Sequence, residues 1–218
     1  MRPLVLAVLI SLVARAGFAA APDDPEARYQ ALLTAAKATA PNADWLALRI
    51  AFAQRPGFKI LTQSAAKREM FEAAEKSDCA AALPAARAAI VEAYVDIDAH
   101  LVAAFCEENA GDAAGARLDR DIGAGLIASV ETGDGLSPAT AFTPIDVDEE
   151  YAVMRAVGAK VTEQALVQQG GHSYDALSAV DAKGQPATYY FLIDRVLAAE
   201  SAAVKPGQPG ETPTTPAP

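Results

Sequence analysis

Histidine and cysteine are scarce in this chain. It has two of each, and His100, His172, Cys79 and Cys106 include no close pair at ligand spacing. A structural zinc site draws four ligands from such residues, so zinc is disfavoured. Positive charge is also in short supply: 18 Lys and Arg face 28 Asp and Glu, for a net charge of -10. Nucleic acid and anionic membrane surfaces both need a basic patch, and this balance argues against either as a partner. Aromatics make up 6% of the residues, with a single Trp. Alanine is abundant instead, which suits closely packed helices.

The one long apolar run, Leu4 to Val13, follows Arg2 and is interrupted only by Ser11. It is too short for a permanent bilayer span and reads as an export signal. Small residues at Gly17 and Ala19 predict cleavage after Ala19, with Ala21 as the alternative. No cysteine follows the run, so a lipid anchor is not expected, and no stable membrane anchor should remain after cleavage. Losing Arg2 and Arg15 takes the net charge from -10 to -12. The mature chain is expected to be periplasmic or secreted. In that setting Cys79 and Cys106 either form a disulfide or pack as two buried thiols.

A repeat governs the first half. Asp78-Cys79-Ala80-Ala81-Ala82 and Asp112-Ala113-Ala114-Gly115-Ala116 stand 34 residues apart, as do Phe71 and Phe105. That period is the length of a tetratricopeptide helix-turn-helix unit. Apolar spacing and breakers predict helices over 24–37, from Trp45 to about 54, over 62–76, 79–93 and 96–109, and over 113–130. Pro84 implies that the fourth starts at Ala82 or is kinked.

After Glu131 the pattern changes. Gly133-Asp134-Gly135 predicts a tight turn, Ala141–Ile145 a short strand, and Asp146 the cap of a helix with Glu149 at the reciprocal capping position. Strands are predicted over 160–168, 173–180 and 187–193, joined by Gly170-Gly171 and by Asp181-Ala182-Lys183-Gly184. The fold class is therefore α+β. Tetratricopeptide-like hairpins should occupy 23–131 and an antiparallel-sheet module 132–200. The signal occupies 1–19, and the Pro-rich segment 201–218 is expected to be disordered.

The segments Gly133-Asp134-Gly135, Ser137, Ala141-Phe142, Glu149-Glu150-Tyr151, Gly171-His172-Ser173-Tyr174-Asp175 and Tyr190-Phe191 occur in that order. With Tyr94-Val95-Asp96-Ile97-Asp98-Ala99-His100 they resemble a bacterial exported family known as domain of unknown function 4919. The resemblance implies an exported protein with no established reaction, and it supplies no catalytic residues.

Chemistry-bearing residues concentrate around Gly171–Asp175. His172 has the side chain suited to acid–base work near neutral pH. Alternation puts Tyr174 on its face of the strand, with Ser173 and Asp175 on the other. The same residues also suit locking the turn, and this structural reading is favoured. The candidate catalytic residues are His172, Asp175 and Glu149, and the candidate binding residues are His172, Tyr174, Asp134 and Glu150. A triad through Ser137 lacks a Gly-x-Ser-x-Gly elbow. Asp146, Asp148, Glu149 and Glu150 lack calcium-loop spacing and suit a helix N-terminus without a metal. His100 should be a buried structural histidine. No cofactor is expected. The leading expectation is a non-enzymatic module binding a protein or peptide of the cell envelope. The alternative is a periplasmic hydrolase-like enzyme using His172.

Overall fold

The computed structural model describes residues 24–58 and 64–203. The expected signal and the Pro-rich segment from Val204 onward lie outside them. The helices are α1 (Pro25–Thr39), α2 (Trp45–Ala53), α3 (Ala65–Glu75), α4 (Cys79–Glu92), α5 (Ile97–Ala110), α6 (Ala113–Val130) and α7 (Val147–Ala156). Strands β1 (Lys160–Gln169), β2 (His172–Val180) and β3 (Pro186–Leu192) follow, and α8 (Asp194–Ala203) comes last. The chain is α+β.

Local chemistry sets the helix starts. Each of α1 to α7 begins behind an Asp or Ser whose side chain accepts from the N–H three residues on. Such a cap satisfies one orphan donor and stabilises by about 1 kcal/mol. The cap at Asp78 starts α4 at Cys79 rather than at Ala82, so Pro84 lies inside the helix. Its missing N–H frees the Ala80 carbonyl, which sits on an exposed residue in the first turn.

The 34-residue echo is a repeated junction. Asp78 N donates to Ala73 O at 2.9 Å, and Asp112 N donates to Glu107 O at 2.9 Å. The residues before them, Ser77 and Gly111, have φ of 56° and 82°. This is the left-handed helix stop in which the chain reverses over one residue. As a result α3 packs on α4, α4 on α5 and α5 on α6, with Ala82 and Ala116 both buried at the turns. A disulfide joins Cys79 to Cys106 across the α4–α5 contact.

The sheet is an antiparallel meander in the order β1-β2-β3, with a bulge between Val161 and Glu163. The strand expected at Ala141–Ile145 reduces to one bridge, Phe142 to Phe191. Thr143 N turns away to Val130 O, Pro144 has no N–H, and Ile145 N is taken by the Glu149 carboxylate. Nothing is left to extend the ladder. The Gly133–Phe142 loop instead runs along the β3 edge: Tyr190 N donates to Gly135 O at 2.7 Å and Phe142 N to Tyr190 O at 2.9 Å. Gly135 is required there, since its φ is 71° and a Cβ would lie 2.4 Å from the Phe142 ring.

The main core runs through both halves of the chain. Tyr29, Trp45, Leu48, Ile122, Leu126 and Val130 join Phe142, Ile145, Val153, Leu177, Phe191 and Val196 in one cluster. Gly125 brings α6 against Trp45, where a Cβ would stand 2.2 Å from the indole nitrogen. Two smaller clusters, rich in alanine, hold α3, α4 and α5. The helix α8 had no counterpart in the sequence reading. It makes residues 201–203 helical and adds Val196 to the core.

Candidate functional site

The residues singled out in the sequence fall into separate environments. His172, at the start of β2, directs Nδ1 to Asp194 Oδ2 at 2.5 Å, and Ser173 N donates to Asp194 Oδ1 at 2.8 Å. Asp194 thus clasps the sheet end to the first turn of α8. The His172 hydrogen bond, followed by that from Ser173 N, holds its carboxyl below the usual range. Tyr174 is buried on the same strand face, its ring 6.4 Å from that of His172. Asp175 points to the opposite face and accepts from Gln164 Nε2 at 2.8 Å. Asp134 is exposed and shapes its own loop, accepting from Leu136 N and the Thr140 hydroxyl. Ser137 pairs with that same hydroxyl at 2.9 Å.

Glu149 and Glu150 diverge although adjacent. Glu149 does not reach back to its cap residue as expected. Its Oε2 accepts from Ile145 N at 2.8 Å, and its two oxygens take a bidentate pair of bonds from Arg49. Arg49 is 0% exposed and also donates to Ser129 Oγ and Thr143 O. This ion pair ties α2 to the start of α7 with its polar atoms satisfied. Glu150 is 0% exposed, and neither of its oxygens has a hydrogen-bond partner. Burial first, then the facing Asp175, push it up to about 9, so it keeps its proton at neutral pH. Burial likewise raises Asp175 above its ordinary value.

The remaining acidic residues are also accounted for. Asp146 caps α7, and burial followed by the charge of Glu149 pushes it up to about 7. Lys67 reaches both Asp148 and Asp96 at 2.9 Å and Asp98 at 4.0 Å. Burial would lower its pKa, but Asp96 and Asp148 outweigh that and hold it above the ordinary value. Among the described residues no group of three or more His, Cys, Asp or Glu is arranged to hold a metal ion. His100 is buried, with Nδ1 2.6 Å from Asp119 and Nε2 3.0 Å from the Tyr94 carbonyl oxygen. Burial would raise Asp119, yet the bonds from His100 and Arg87 leave it lowered.

The partners that sequence reasoning missed are Arg49, Asp194, Asp119 and Lys67. Each lies far along the chain from the residue it satisfies: 100 residues separate Arg49 from Glu149, and 22 separate His172 from Asp194. Apolar positions recurring around Leu48 hinted only that Arg49 sits beside a buried face.

One concave surface has the character of a binding site. Helices α3, α4 and α5 and the end of α7 enclose an open groove of about 400 Å³. Phe71, Leu101, Val102 and Phe105 form much of its lining, with the Cys79–Cys106 bridge in the wall and the Asp98–Arg155 ion pair also lining it. Phe105 is 57% exposed, an unusual state for an aromatic ring beside a packed core. Cys106 is buried and Cys79 only partly open, so the bridge acts as scaffold.

The fold and the groove define an α+β protein with an apolar cleft in its helical half. A family model described as "Domain of unknown function (DUF4919)" matches residues 29–202, and the chain belongs to that family. No curated protein and no solved structure matches the chain.

Proposed function

We propose that this chain is an exported, non-enzymatic module of the cell envelope that binds a protein or peptide segment in the α3–α5 groove. The observation that carries the reading is the exposed Phe105 beside Phe71, Leu101 and Val102 in an open apolar cleft. Burying such a ring in a complex gains roughly 1.5–3 kcal/mol, the scale of one binding anchor. The hydrolase reading through His172 gains no support, because its imidazole is tied to Asp194 and stands apart from Glu149 and Glu150. The apolar run expected to act as an export signal and the Cys79–Cys106 bridge support an envelope location in this reading.

Peptide display against the full chain tests the reading. Enriched apolar peptides should lose about tenfold or more in affinity when Phe105→Asp is introduced, with the melting temperature nearly unchanged because the ring is exposed. Binding indifferent to that substitution would remove the groove as the site. N-terminal sequencing of the secreted chain should begin at Ala20; an intact Met1 would refute export by cleavage.

A further inference from the structure

We infer that the Cys79–Cys106 bridge is a redox control on the groove: a dithiol entering the cleft opens the bridge at Cys79, and an occupant of the cleft keeps it closed. The inference rests on the groove reading and adds its regulation.

The bridge belongs to the surface that a ligand touches. Cys79 and Cys106 both line the cleft, together with Phe71 of α3 and Phe105 of α5. The two cysteines are not equally open. Cys79 is half-buried at the first position of α4, whereas Cys106 is buried in a cluster with Ala73 and Ala82. A thiolate attacks the sulfur it can reach, so exchange begins at Cys79. The new bond to the Cys79 sulfur breaks the old one, and the electron pair leaves on Cys106, which takes up a proton. The second thiol of the reductant then attacks its own sulfur in the mixed disulfide, and that pair leaves on Cys79. The net change is two protein thiols for one oxidised dithiol. Cys79 is well placed to leave: Asn109 Nδ2 donates to its sulfur at 3.6 Å, and the N-terminus of α4 favours negative charge. Cys106 is not, because its surroundings are apolar, and the first step is therefore the slow one.

Opening changes the cleft because little else fixes its wall there. Pro84 leaves the Ala80 carbonyl without its helical donor in the first turn of α4. Among the described residues, the other fully buried members of the cluster around Cys106 are Ala73 and Ala82, whose methyls bury little area. Freed of the bridge, α3 and the start of α4 shift against α5, and Phe71 shifts against Phe105. A ligand held by both rings therefore prefers the closed bridge. The coupling is reciprocal. If reduction weakens a ligand about tenfold, saturation with that ligand makes the midpoint potential of the bridge about 30 mV more negative.

The test uses the full chain with reduced glutathione, dithiothreitol and a display peptide that binds through Phe105. Glutathione, followed by alkylation and peptide mapping, should place the mixed disulfide on Cys79 and the alkyl group on Cys106. An adduct on Cys106, or a bridge that neither thiol opens in the folded protein, overturns the inference. Saturating peptide should slow opening about tenfold or more, and reduction should weaken the peptide about tenfold. An unchanged rate or affinity overturns the control and leaves the partner reading standing. Hydrogen exchange separates control from collapse: reduction should speed α3 about tenfold and leave α6 alone, and lost protection in α6 also counts against the control. If no peptide binds through Phe105, the partner reading falls and takes the control of binding with it, even where the adduct maps to Cys79.

Discussion

The two helix pairs α3/α4 and α5/α6 share a turn but not a setting. Both reverse through a left-handed residue, and both restart behind an Asp with a buried alanine four residues on. From there they diverge. The second pair gives Ile97, Ile122, Leu126 and Val130 to the core it shares with the sheet. The first pair contributes to that core none of its buried residues, and it packs on α5 largely through alanines. Alanine faces bring helices close, but each buries little apolar area. The peripheral pair therefore leans on other ties: the Cys79–Cys106 bridge, and Lys67 between Asp96 and Asp148. One local motif used twice thus builds a rigid floor and a more lightly held wall, with the groove between them.

The largest expected effect is in the shared core. Glu149→Ala strands the fully buried Arg49 guanidinium, a change that typically costs about 3–5 kcal/mol. Denaturant unfolding should show the loss at α6 and at the sheet alike. A loss confined to α7 would break the idea of one core.

Removing the bridge should act on the wall. Cys79→Ser with Cys106→Ser frees a loop with a sequence separation of 27, which chain entropy values at about 3.5 kcal/mol. Hydrogen exchange should accelerate across α3 and α4 well before α6 responds. Uniform acceleration would mean that the two pairs are not distinct in stability.

What could be read from the sequence follows how local each determinant is. Asp78, Asp96, Asp112 and Asp146 mark helix starts because a cap acts within three residues, and the turn at Gly170-Gly171 marks its hairpin for the same reason. The 34-residue echo was legible because it repeats one short junction. The strand expected at Ala141–Ile145 failed because Val130 and Glu149 claim its N–H groups, which no pattern within the segment reveals. Arg49 was invisible as the partner of Glu149, since a buried ion pair spanning the chain leaves no spacing signal. His172 stood out by residue type, but its partner Asp194, 22 residues on, did not, because it belongs to a helix that the sequence reading lacked. The groove escaped notice as a specific place because it takes residues from four helices.

The charges of core and wall differ as well, and pH can separate them. Lys67 in the wall is ion-paired, whereas Glu150 in the core is stored neutral at about 9 against an ordinary 4.5. The folded state therefore holds a proton that the unfolded chain releases above about pH 4.5. Stability should fall as pH rises from there toward 9, by at most about 1.4 kcal/mol per unit, and level off beyond. Asp146 adds a drift of the same sign up to about 7. Glu150→Gln does not titrate, and its amide can donate to Asp175. Its melting temperature should match the parent's near pH 5 and exceed it at pH 8. Parallel profiles would show that Glu150 ionises freely in the folded protein.

The smallest effect belongs to the clasp at the far end of the sheet, outside both helix pairs. Asp194→Ala removes the bonds to His172 and Ser173 at a site open to solvent. After screening, the loss should be about 0.5–1 kcal/mol, a melting shift of roughly 1–4 °C for a chain of this size. His172→Ala should cost less, because Ser173 N keeps its acceptor. The double variant should cost little more than Asp194→Ala alone, since the imidazole acts through that carboxylate. Because the Asp194 carboxyl is held below its ordinary value, its contribution is present at neutral pH and fades as pH falls through the lowered value. Two single variants with unmoved melting temperatures would free His172 from the clasp and restore it as a residue with another task.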